Sequence, residues 1–138
     1  MNRTDFQQLS RIRVAEATVL LDNGHFLGAY YLLGYAVECA LKACIAKQVR
    51  RYDFPERQLV LDSYTHNLIT LLKISGLQAQ FDSDVEMDEN LERNWTIAKD
   101  WSENKRYETV VPEDTARDFY RAVTGRSGGI LPWLRKRW

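Results

Sequence analysis

Glu38 and Lys42 lie one helical turn apart inside the apolar run Gly34-Tyr35-Ala36-Val37-Glu38-Cys39-Ala40-Leu41-Lys42-Ala43. A carboxylate four residues before an ammonium is the better orientation for an intrahelical ion pair. Two readings of the pair stand. It is either a structural pair at the rim of a core, each charge satisfying the other, or a pair that positions a phosphate-binding or catalytic group in a cleft between helices. His66 follows Thr65 at the expected start of another helix. An imidazole titrates near neutrality in water, so a histidine there can act as acid, base or donor to a phosphate, or equally as a packed ring near a helix cap.

Arg106 offers a guanidinium fork to a phosphate or carboxylate, and Tyr107 offers a ring to stack and a hydroxyl to donate. The structural alternative is an arginine in water beside a tyrosine that fills the end of a bundle. Arg117 and Arg121 flank Phe119-Tyr120, and Arg135-Lys136-Arg137 lie between Trp133 and Trp138. Cations interleaved with rings can hold single-stranded RNA by phosphate contact and base stacking. The C-terminal pair of tryptophans equally suits a segment that docks on a partner while its charges stay in water. The ligand-binding candidates are Glu38, Lys42, Arg106, Arg117 and Arg121. The catalytic candidates are His66, Arg106 and Tyr107.

Other chemistries find little support. Cys39 and Cys44 are five apart, about 140° around a helix, so they diverge and cannot bridge each other. With two Cys and two His in the chain, neither a disulfide framework nor a thiolate metal site is available, and buried structural thiols are the expectation. Gly128-Gly129 lacks the Walker spacing and the Lys-Ser/Thr that would follow it. No Ser-His-acid arrangement stands out, and no metal or cofactor is expected.

These residues must be positioned by one domain, since 138 residues bury a single core. The hydrophobic fraction of 45% and charged fraction of 28% suit a folded globular protein rather than a disordered tail. No apolar stretch runs uninterrupted for the roughly 18 residues that span a bilayer, and Met1-Asn2-Arg3-Thr4-Asp5 lacks the basic-then-apolar order of a secretory signal. The expectation is a cytoplasmic protein without membrane attachment. Net charge is zero but unevenly spread: residues 1–57 carry 8 basic and 6 acidic side chains, 58–104 carry 3 and 9, and 105–138 carry 8 and 4. Pairing between helices explains this, as does a basic face for phosphates held apart from an acidic one.

Helical spacing dominates. Thr4-Asp5 is the expected cap of a first helix bearing Leu9, Ile12, Ala15, Val19 and Leu20, stopped by Asn23-Gly24. A second runs from about residue 26 to 49, with Gly28 and Gly34 leaving room for close helix contact, and Arg50-Arg51-Tyr52 then Asp53-Phe54-Pro55 end it. A third begins near Thr65 and stops at Gly76. A fourth runs from about Val85 to Trp101 behind Asp82-Ser83-Asp84 as caps. Residues 102–111 read as a loop, and Pro112 as the first position of a fifth helix ended by Thr124-Gly125. No period-two alternation suggests a strand. The predicted fold is all-α, an up-down antiparallel bundle of four to five helices over residues 1–127, followed by a short helical tail, Gly-hinged, basic and aromatic, over 128–138.

Several of these pieces occur in one order in a known family. Ala15-Glu16, Gly24-His25-Phe26, Ala29-Tyr30-Tyr31, Ala36-Val37-Glu38-Cys39-Ala40-Leu41-Lys42-Ala43, Thr65-His66-Asn67-Leu68 and Arg106-Tyr107 resemble the motifs of HEPN domains. These are small all-helical prokaryotic proteins often encoded beside a minimal nucleotidyltransferase. The resemblance covers roughly residues 8 to 123. It implies a helical bundle that commonly dimerises and a nucleotide- or RNA-engaging module in a defence or toxin–antitoxin system. The partners it implies are a second copy and a nucleotidyltransferase-like protein. Asn67 stands where the family usually has Asp. The larger departure is that HEPN ribonucleases share an Arg followed, after four to six residues, by His, whereas neither His25 nor His66 has an Arg at that distance. The alternatives are therefore a ribonuclease using a non-standard set, His66, Arg106 and Tyr107, or a non-catalytic dimerisation and partner-binding scaffold.

Overall fold

The computed structural model describes residues 1–49 and 53–138, and every regular element among them is a helix. In chain order they are α1 (Arg3–Asp22), α2 (Phe26–Lys47), α3 (Arg57–Asp62), α4 (Leu68–Ile74), α5 (Gln78–Met87), α6 (Glu89–Ala98), a 3-10 turn (Glu103–Tyr107), α7 (Glu113–Thr124) and α8 (Ile130–Arg135). The all-α expectation holds. The segment Arg50-Arg51-Tyr52, expected to end the second helix, lies outside the described residues; α2 ends at Lys47.

α1 opens on a capping box at Asn2, two residues before the expected Thr4. The Asn2 side chain accepts from the Asp5 N–H at 3.0 Å while the Asp5 carboxylate accepts from the Asn2 N–H at 2.8 Å, so two orphan donors are met reciprocally. Gly24, at φ +79°, turns the chain back, a backbone state that costs glycine little. α1 and α2 then pack as an antiparallel hairpin in which the buried Ser10 hydroxyl donates to the Ala36 carbonyl at 2.8 Å and Leu20 abuts Gly28.

α2 is the central helix, packed against α1, α4, α7 and α8 and burying Leu33, Val37, Leu41 and Cys44. By length and composition it is apolar enough to cross a membrane, which the sequence reading did not allow; here neighbouring helices bury most of it. Gly34 is where that packing is tightest. A Cβ there would fall inside the indole of Trp101. Gly34→Ala is expected to lower stability by about 2–3 kcal/mol through overpacking, with Trp101→Leu in the same chain restoring part of it. Urea unfolding checks this, and an unchanged midpoint for the single variant would contradict it.

Three boundaries differ from the sequence reading. The expected helix from Val85 to Trp101 is two helices, because Asp88 leaves the helical region (φ −139°, ψ 94°) and its carboxylate caps α6 by accepting from the Asn90 and Leu91 N–H groups at 3.0 and 3.1 Å. A strong local cap thus interrupts a periodicity that continues across it. Asp82-Ser83-Asp84 accordingly lie inside α5. Pro112 is the N-cap of α7 rather than its first helical residue, and α3, which buries no side chain, was not foreseen.

The C-terminal tail is the main correction. Residues 128–138 are built into the core: Ile130, Leu131, Leu134 and Trp138 are buried in the same cluster as Leu33, Leu41, Leu91 and Phe119. Gly128, at φ +71°, is a tight turn rather than a hinge, and the Asn94 side-chain amide donates to its carbonyl at 2.8 Å. Trp133 Nε1 and Arg137 then both donate to Asp84 Oδ2, at 2.8 and 3.0 Å. The Trp133 indole first, then the Gln80 amide, hold the Asp84 carboxyl below its ordinary pKa. The apolar side of this segment finds its core within the chain, so its tryptophans are not a free docking element.

Candidate functional site

Glu38 is buried on α2, and both of its oxygens are engaged. Oε1 accepts from Lys42 Nζ at 2.8 Å, and Oε2 lies 2.9 Å from His66 Nδ1. Lys42 arrives from the next turn of the same helix. His66 arrives from the segment before α4, whose geometry is fixed locally: Thr65 Oγ1 accepts from the Asn67 N–H at 3.1 Å, and the Asn67 side chain caps α4 by accepting from the Thr70 N–H at 2.9 Å. Asn67 thus does the capping that an Asp would do at the same position.

The side chain of Glu38 is 5% exposed and that of His66 43%, so a buried carboxylate holds one face of an accessible ring. A carboxylate that accepts from Nδ1–H fixes the tautomer and leaves the Nε2 lone pair available for a proton. Nε2 has no partner among the described residues.

An aromatic row continues from His66 along α2. The Tyr35 ring is 5.9 Å from that of His66, and Tyr31 and Trp101 follow at 5.0 and 5.1 Å from Tyr35. The Tyr31 and Tyr35 hydroxyls are 3.4 Å apart. Burial first, and then the Tyr31 hydroxyl, raise the Tyr35 pKa well above that of a free phenol, so Tyr35 is a neutral donor at physiological pH. Trp101 closes the row from behind; its indole N–H is buried without a partner among the described residues.

Arg106 stands at the far end. Its Cζ is 4.8 Å from the Tyr107 ring, and the hydroxyls of Tyr107, then Tyr31, raise its pKa further. Contacts link Lys42, the buried Glu38, His66, Tyr35, Tyr31 and Arg106 in that order, with the exposed Tyr107 beside Arg106. This arrangement pairs a cation at each end with a stacking surface and one accessible imidazole nitrogen.

The structure therefore brings Glu38, Lys42 and His66 into direct contact and connects Arg106 and Tyr107 to them through Tyr31 and Tyr35. It does not bring Arg117 and Arg121 there. Arg117 pairs with Glu113 at 2.9 Å and lies over the Phe26 ring at 5.8 Å, at the start of α2. That is roughly 18 Å along the helix axis from Glu38. Arg121 pairs with Asp118 at 3.2 Å. Sequence reasoning missed Tyr31 and Tyr35 as site residues. The signal was present, since they precede Glu38 by seven and three residues and so share its helix face.

Cys39 and Cys44 do not contribute a nucleophile at neutral pH. Burial pushes both thiols up to about 11, and the Glu38 charge adds to the effect on Cys39, which keeps them protonated. Among the described residues no three His, Cys, Asp or Glu side chains converge as metal ligands. No family model matches the chain, and no curated protein or solved structure matches it. The HEPN resemblance rests on the order of its motifs.

Proposed function

We propose that this chain is a HEPN-like helical module that engages RNA or a nucleotide through the Glu38-centred site. One observation carries the proposal: a buried carboxylate holds Lys42 and an accessible His66 at one end of an aromatic row that has Arg106 at the other. Lys42 and Arg106 supply charge for phosphates, and the tyrosine rings supply surfaces on which bases stack, worth about 1–3 kcal/mol per base. The order of HEPN-like motifs supports the setting, a cytoplasmic homodimer paired with a nucleotidyltransferase-like protein in a defence or toxin–antitoxin system.

Fluorescence anisotropy with a labelled single-stranded RNA tests the assignment. Arg106→Ala is expected to weaken binding about tenfold and to flatten the salt dependence, because a phosphate contact is lost. Arg117→Ala, outside the site, is expected to leave binding unchanged. Equal affinity of wild type and Arg106→Ala would remove the assignment.

The Glu38–His66 contact favours a second reading, a ribonuclease with a non-standard site. In that reaction His66 Nε2 takes the proton of a ribose 2′-hydroxyl, whose oxygen attacks the adjacent phosphorus. The 5′-oxygen of the next nucleotide leaves and takes up a proton from the imidazolium or from water. Lys42, beside His66, is the cation nearer the reacting phosphate, and Arg106, at the other end of the row, would hold a flanking one. Cleavage of total tRNA on a denaturing gel, abolished by His66→Ala, would establish it. Intact tRNA would leave the binding module alone.

A further inference from the structure

A second cleft, of about 310 Å³, opens where the C-terminal ends of α2, α4 and α8 meet, and Lys47, Gln48, Lys136 and Arg137 line it together with Cys44 and Leu77. It lies beyond the Glu38 site and shares no residue with it. Among the described residues its lining contains three cations and no acid. Arg137 is paired with Asp84 at 3.0 Å. Among the described residues the Lys47 ammonium donates to the Arg137 carbonyl alone, at 3.0 Å. Lys136 has no ion-pair or hydrogen-bond partner for its ammonium among the described residues. Among the described residues no carboxylate pairs with Lys47 or Lys136.

Cations are ordinarily drawn to helix C-termini by exposed carbonyls. Here the Ile74 carbonyl already accepts from Gln48 Nε2 at 2.9 Å and the Arg137 carbonyl from Lys47, so that need does not account for Lys136. With Nε2 engaged, Gln48 keeps its Oε1 as an acceptor for a hydroxyl. The buried Cys44 and half-buried Leu77 give the cleft an apolar wall. Its volume exceeds what a bare phosphate fills and lies at the lower end of small-molecule sites.

We propose that this cleft binds a small phosphomonoester, a sugar phosphate or nucleoside monophosphate, with the phosphate on Lys47 and Lys136, a hydroxyl on Gln48 and the carbon skeleton against Cys44 and Leu77. Charge selects the class: a phosphomonoester carries about −1.5 to −2 at pH 7, which matches the two lysines, whereas a single carboxylate does not.

Two-dimensional amide NMR of the full chain, titrated with ribose 5-phosphate, AMP, inorganic phosphate and ribose, tests this. Saturable shifts are expected at Lys47, Gln48, residues 75–77 and Lys136 with both phosphomonoesters, weaker ones with inorganic phosphate, and none with ribose. A larger effect of AMP than of ribose 5-phosphate would assign the site to nucleotides, and the reverse to sugar phosphates. Lys136→Glu, at an exposed and unpaired position, is expected to weaken binding about tenfold or more. Arg106→Ala is expected to leave it unchanged, which separates this site from the RNA site. Shifts confined to the surroundings of Tyr35 and His66, shifts scattered over the surface, or equal affinity in Lys136→Glu would overturn the proposal.

Discussion

Deleting residues 128–138 is expected to unfold the protein rather than release a bundle from its tail. The segment buries Ile130, Leu131, Leu134 and Trp138, which are 2%, 0%, 1% and 8% exposed. At about 1.5–3 kcal/mol for each fully buried apolar side chain, their loss is comparable to the 5–15 kcal/mol by which an ordinary domain is stable. The deletion also uncovers the faces of α2, α6 and α7 against which α8 packs. Circular dichroism on heating reads the result directly. The truncated chain should show no cooperative transition near that of the full chain, and Leu134→Ala alone should cost about 2–4 kcal/mol. A truncated protein that melts cooperatively at the same temperature would show that the C-terminal segment is dispensable to the core.

The second large effect is expected at Glu38. Removing a carboxylate that serves two buried or half-buried partners leaves Lys42, whose side chain is 17% exposed, and His66 without their acceptor. Breaking a buried pair from one side costs about 3–5 kcal/mol when both groups are fully enclosed. With His66 accessible, Glu38→Ala should cost about 2–4 kcal/mol. Glu38→Gln keeps the shape and one acceptor, and should cost about 1–2 kcal/mol. The two variants should also separate roles. A glutamine amide that donates to His66 Nδ1 reverses the tautomer and places the proton on Nε2, so Glu38→Gln would lose any base function of His66 while RNA binding through Arg106 persists. Urea unfolding of Glu38→Ala, Lys42→Met and the double variant measures the coupling. Strict additivity would mean that Glu38 and Lys42 are neighbours without being a unit.

The sequence exposed the parts of this arrangement that depend on helical spacing. Glu38 and Lys42 were readable as a pair because four residues make one turn, and the apolar spacing of Leu33, Val37, Leu41 and Cys44 marked α2 as the core helix. The His66 contact was not readable as geometry, since it joins residues 28 apart through a connection whose path no local rule sets. Tyr31 and Tyr35 carried no signal of their own beyond their place in an apolar helix, because a core helix and an aromatic ledge share the same composition. Gly128 looked like a hinge, yet its positive φ and its contact with α6 make it a fixed turn. The break at Asp88 was hidden for the opposite reason: helical periodicity continues on both sides, and only the side-chain cap interrupts it.

The reading of the Glu38 site as an RNA interface is tested most directly by photocrosslinking thiouridine-labelled single-stranded RNA to the protein and mapping the adducts by peptide mass spectrometry. Adducts are expected on the peptides that carry Tyr31, Tyr35 and Tyr107, and their yield should fall with Arg106→Ala. Adducts confined to the α7 peptide around Arg117 and Arg121, or an absence of adducts under conditions where the RNA is bound, would contradict it.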